Sequence, residues 1–204
     1  QCVDLSHLEK VREEKILGLI GFQLFKNYEV FLDYFSSRLI LYKLNKLGLR
    51  LATQMGTNQV LARFPLKMQG HLATVEARIA NHKLRFGIDT GAETNILDIA
   101  SRGKVLQHFQ ILKRAVLQGT DGRRVEVLKG KVNHFRIADV AYPRLEAILT
   151  TMKGLNRGYG TDLDGVLGFH FLSRYPSSIN FIKKEMIIWR AAPSKTEACE
   201  MEKK

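Results

Sequence analysis

Leu84-Arg85-Phe86-Gly87-Ile88-Asp89-Thr90-Gly91-Ala92 runs an apolar strand straight into an acid and a turn glycine. Leu84, Phe86 and Ile88 alternate with Arg85 and Gly87, the period of a half-buried strand. Asp89 is thereby a carboxylate brought to a cleft, and Gly91 lets the chain turn where a side chain would obstruct a ligand. An Asp-Thr-Gly tripeptide arises by chance in a chain of this length with a probability of roughly a few per cent. Context adds the weight: an apolar-apolar-Gly segment, Val166-Leu167-Gly168, lies downstream.

Outward from this stretch the period stays near two. Leu72, Thr74, Glu76 and Arg78 alternate with Ala73, Val75, Ala77 and Ile79, Asn81-His82 makes a turn, and further strands fall at Val125 to Leu128 and from Val132 to Val140. A mostly β unit follows. One helix is expected from Asp164 or Gly168 to Arg174, stopped by Tyr175-Pro176.

The sequence also resembles itself. Ile16-Leu17-Gly18-Leu19-Ile20-Gly21-Phe22-Gln23-Leu24-Phe25 aligns without a gap on Leu163-Asp164-Gly165-Val166-Leu167-Gly168-Phe169-His170-Phe171-Leu172. At the same offset Tyr28 falls opposite Tyr175, Asp33 opposite Asn180, Tyr34 opposite Phe181, and Leu39-Ile40-Leu41-Tyr42 opposite Met186-Ile187-Ile188-Trp189. The expected organisation is the back end of a first lobe at 1–50, a connector at 51–62, a complete lobe at 63–192 and a flexible tail at 193–204.

Bulk properties bound the remaining classes. A chain of 204 residues, 45% hydrophobic and 25% charged, can bury a core. The longest nearly apolar run, Ile16 to Phe25, is far short of the roughly 20 residues needed to span a bilayer. The net charge of +12 admits a nucleic-acid-binding β-barrel, but the basic residues are scattered as singles and pairs, so nucleic acid is not expected as a partner. Cys2 and Cys199 lie near opposite ends without CxxC spacing. The histidines show no zinc spacing and no Gly-x-Ser-x-Gly occurs, so no metal, no cofactor and no serine nucleophile are expected.

With these residues in view, the chain resembles the retropepsin and pepsin superfamily, in the two-lobed bacterial form with its first lobe truncated. That resemblance implies a closed β-barrel lobe with one short helix, preceded by the C-terminal part of a similar lobe. It implies Asp89 as the catalytic carboxylate, with Thr90, Gly91 and Ala92 supporting the active-site loop and the Thr90 hydroxyl bonding across a lobe interface. A flap is implied at Gly119-Thr120-Asp121-Gly122, structural support from Val166, Leu167 and Gly168, and a following strand over Ser178-Ile179-Asn180-Phe181. An exported location is implied by resemblance alone.

The implied substrate is a peptide or protein, cleaved by a water activated between two carboxylates. Such pairs sit about 3 Å apart and share one proton. Asp4 and Asp33 lack a following Thr-Gly or Ser-Gly, and Asp121 and Asp164 suit turns and caps. The partner then comes from an upstream lobe or from a second copy about a two-fold axis. A catalytically silent peptide-binding or dimerisation module of the same fold is the alternative.

Overall fold

The computed structural model describes residues 6, 9, 15–51, 59–118 and 124–190. Cys2, Cys199, Asp4, the flap turn Gly119-Thr120-Asp121-Gly122, most of the connector and the tail lie outside them.

Helix α1 (Phe22–Phe25) precedes strands β1 (Tyr28–Asp33) and β2 (Arg38–Lys43), then β3 (Val60–Pro65) and β4 (Lys67–Gln69). The decisive stretch lies in the hairpin of β5 (Leu72–Ile79) and β6 (His82–Ile88), followed by β7 (Asn95–Asp98) and helix α2 (Gly103–Leu106). A long hairpin, β8 (Phe109–Gln118) and β9 (Arg124–Val132), leads to β10 (Phe135–Ile137), β11 (Val140–Tyr142) and β12 (Leu145–Thr150). Helix α3 (Lys153–Tyr159), β13 (Gly165–Leu167), α4 (Phe169–Leu172), β14 (Ser177–Asn180) and β15 (Glu185–Trp189) complete the order.

Period-two patterning sends Ala73, Val75, Ala77 and Ile79 of β5 into the core, where they meet Leu84 and Phe86 of β6. Phe135, Tyr142 and Phe171 close the same core, with Tyr142 and Phe171 ring centroids 4.7 Å apart. The expected helix forms only over Phe169–Leu172, because its first residues are taken by β13 between two strands. β7, α2, β12 and α3 were not expected; they are too short, or too uniformly apolar, for periodicity to mark them.

Ten strands form one sheet in the order β11-β10-β5-β6-β13-β7-β12-β9-β8, with β4 pairing β5 off this path. It does not close into the expected barrel. Its edges are β11, three residues long, and β8, whose exposed Gln110, Lys113 and Arg114 discourage edge pairing. Nor is α4 the one helix: α2 and α3 stand beside it in the same stretch of chain.

The second sheet runs β2-β1-β14-β15-β3. Its centre is the antiparallel pair β1 and β14, in which Val30 faces Ile179, Phe31 faces Ser178 and Leu32 faces Ser177. Phe31 thus pairs with the residue opposite it in the self-alignment. β1–β2 and β14–β15 are related by a local two-fold through that pair, so the sheet is symmetric but for β3 on the outer edge of β15.

Candidate active site

Asp89 leaves the end of β6 where β13 is inserted between β6 and β7, parallel to the first and antiparallel to the second. The 89–94 loop therefore crosses the end of β13. The Asp89 amide donates to the Leu167 carbonyl at 3.0 Å and the Phe169 amide to the Ala92 carbonyl at 2.8 Å, tying the loop to Leu167-Gly168 at two points. Val166 and Leu167 are buried beneath it.

The two glycines of this floor are set by backbone approach. A Cβ at Gly168 would lie 2.4 Å from the Ala92 carbonyl oxygen, and one at Gly165 would lie 2.2 Å from that of Ile96. Asn95, which sequence reasoning passed over, locks the same contact. Its buried side chain accepts from the Gly168 amide at 2.8 Å and donates to the Glu146 carbonyl at 2.7 Å, joining loop, floor and β12. An amide at the head of the apolar run Asn95-Ile96-Leu97 was the available signal, since a buried amide needs partners.

The Asp89 carboxylate is exposed, and its Oδ1 accepts from the Gly91 amide at 2.8 Å. No described residue donates to Oδ2 or bonds the Thr90 hydroxyl, which is also exposed. Ala92 packs inward against Met152, Leu163 and Val166.

Nearby acids have other work. Asp164 Oδ2 accepts from the Arg85 amide at 2.7 Å while its own amide donates to the Arg85 carbonyl at 2.8 Å, clamping β6 just before Asp89. Burial raises the Asp164 pKa above its ordinary value; the Arg85 amide opposes the shift and the Asp162 charge adds to it. Asp98 Oδ1 accepts from the Ala100 and Met152 amides, and Asp33 Oδ1 from those of Phe35 and Ser36, as turn acids do. Neither is placed as a second carboxylate beside Asp89.

A cavity of about 190 Å³ lies elsewhere, lined by Glu29, Arg50, Arg63, Lys183, Glu185 and Trp189 among others. Four of its charged side chains are already paired, Arg50 with Glu29 at 2.6 Å and Arg63 with Glu185 at 3.2 Å, and the chemistry is read from Asp89 instead.

Residues 75–171, a little under half of the chain, match the family described as aspartyl protease. Over this stretch the chain is similar to aspartyl proteases. Among solved structures, a retropepsin-like aspartic protease from Rickettsia conorii is similar at 16% identity, over 69% of this chain and 100% of its own, with a TM-score of 0.44. No curated protein matches. The matched segment includes Asp89, Asn95, Glu146 and the β13 floor, so the whole hydrogen-bonded loop lies inside the match. No helix of the described residues is long and apolar enough to cross a membrane.

Proposed function

We propose that the chain supplies half of the active site of an aspartic endopeptidase, with Asp89 as one of two carboxylates. The observation that carries this reading is the Asp89 loop: an exposed carboxylate at the end of a buried strand, held by Leu167, Gly91 and the Asn95–Gly168 bond within the matched segment. In the reaction one ionised carboxylate takes a proton from water, whose oxygen adds to the peptide carbonyl carbon. The other, protonated, gives its proton to the carbonyl oxygen. Collapse of the tetrahedral adduct breaks the C–N bond as the leaving nitrogen takes up a proton.

The second carboxylate comes, on this reading, from a further lobe seated on residues 16–43, which align in sequence on 163–190. Counterpart residues support it by their exposure: Leu19 is 70% exposed and Val166 5%, Ile20 68% and Leu167 0%, Leu24 55% and Phe171 1%. Positions buried by the ten-stranded sheet in one copy lie bare in the other, an apolar face that needs a cover. Gly18 and Gly21 have nothing within 4 Å of a would-be Cβ, whereas Gly165 and Gly168 are crowded. A second copy of the complete lobe is the poorer cover, because its own 163–190 already fills the place and β1 already occupies the edge of β14.

Replacement of Asp89 by Asn in the two-lobed enzyme tests the assignment. Cleavage of a denatured protein substrate should fall by at least about a thousandfold, the scale for loss of a group that acts as a unit. Full cleavage by that variant would sink the assignment. A folded two-lobed wild type that binds peptide and never cleaves it would favour the silent module.

A further inference from the structure

The turn between β1 and β2, in the five-stranded sheet, reaches the floor of the Asp89 loop. Tyr34 follows Asp33 there, half-buried, with its ring set edge-on to Phe169 at 5.3 Å and 84°. Phe169 begins α4, and its amide is the one that holds Ala92 of the Asp89 loop. The clasp is reciprocal: Phe181, the counterpart of Tyr34, packs on Phe22, the counterpart of Phe169, at 5.1 Å and 84°. The two clasps have the same geometry and differ in one atom of chemistry. Tyr34 carries a hydroxyl on the Asp89 side, and Phe181 carries none on the other.

A ring that only packed would serve equally well as Phe, as the opposite clasp demonstrates. The hydroxyl is therefore the informative part. Asp89 has one carboxylate oxygen committed to Gly91 and no described donor on Oδ2. Resting on the reading of Asp89 as a catalytic acid, we propose that Tyr34 is a positioning residue: its phenol donates, through one water, to Asp89 Oδ2. The two halves of the site are then inequivalent, Asp89 being the carboxylate with the added donor. Burial raises the phenol pKa first, and the Asp89 charge raises it further. His170, beside Phe169 on α4, turns toward Glu146 at 3.9 Å instead.

The experiment is a pH titration of Tyr34 by NMR of the full chain labelled at tyrosine Cζ, with Tyr34→Phe giving the assignment. Asp89→Asn removes the neighbouring charge, and the Tyr34 midpoint should fall. An unmoved midpoint overturns the proposal and leaves the catalytic reading of Asp89 intact. In the two-lobed enzyme Tyr34→Phe keeps the clasp, so the Tm should hold while kcat drops about fivefold, the worth of one hydrogen bond, with KM within about twofold. Unchanged kcat in Tyr34→Phe also overturns the positioning role. Retained cleavage by Asp89→Asn with a shifted Tyr34 midpoint sinks the catalytic reading instead, while the contact stands.

Discussion

Asp164 illustrates how one side chain couples fold and pH near the loop. Its carboxylate is half-buried and bonded to the Arg85 amide, and burial prevails, so the folded state holds its proton more tightly than the unfolded chain. Between the ordinary value of 3.8 and the raised one, the folded state binds more protons. This group therefore adds stability as pH falls through that window and withdraws it as pH rises. Asp164→Asn keeps an oxygen for the Arg85 amide and has no charge to bury. Urea midpoints measured at pH 7 and pH 4 should show the variant at least as stable as the wild type at pH 7, with a smaller gain on acidification. A marked loss at pH 7 would mean that the charge itself holds the clamp.

At the scale of elements, the meeting of the 89–94 loop with β13 and α4 depends on a glycine that no side chain can replace. Gly168→Ala would drive a Cβ to 2.4 Å from the Ala92 carbonyl, and backbone cannot yield there as a flexible side chain can. A destabilisation of about 2–3 kcal/mol is expected, read as a fall in Tm. Gly21→Ala is the matched comparison. Its Cβ meets nothing within 4 Å, and Gly21 is extended at φ −106°, so the isolated chain should tolerate it within about 0.5 kcal/mol. Assembly with a covering lobe should expose a penalty at Gly21 that the isolated chain lacks. Equal effects of the two changes on the isolated chain would argue against the crowding explanation.

At the scale of the whole molecule, the five-stranded sheet carries a partly buried ion pair, its Arg50 side chain 24% exposed and its Glu29 side chain 6%. Glu29 is buried in β1 and bonds Arg50 at 2.6 Å, while the guanidinium stacks on Tyr42 at 3.8 Å and lies 5.7 Å from Trp189, the counterpart of Tyr42. Removing Arg50 strands a charge. Arg50→Ala should cost about 3–5 kcal/mol, and the double change with Glu29→Gln should recover much of it, as a double-mutant cycle in urea would record. If the single change costs under about 1 kcal/mol, the pair is not a fastening of this sheet.

The amino-acid sequence by itself determined the local elements around Asp89. Strict alternation made β5 and β6 legible, and Asp89-Thr90-Gly91 and Val166-Leu167-Gly168 are both readable as short motifs, whereas the last helix stops at Leu172, short of the expected Arg174. Alternation and turn chemistry are read over a few neighbouring residues, so a linear reading captures them. Tertiary structure alone decided that β13 lies between β6 and β7, that Asn95 bolts the loop to Gly168, that the large sheet stays open, and that Tyr34 comes round to Phe169. These join residues far apart in the chain, and their partners are chosen by which faces must be buried together. No periodicity within one segment records that choice.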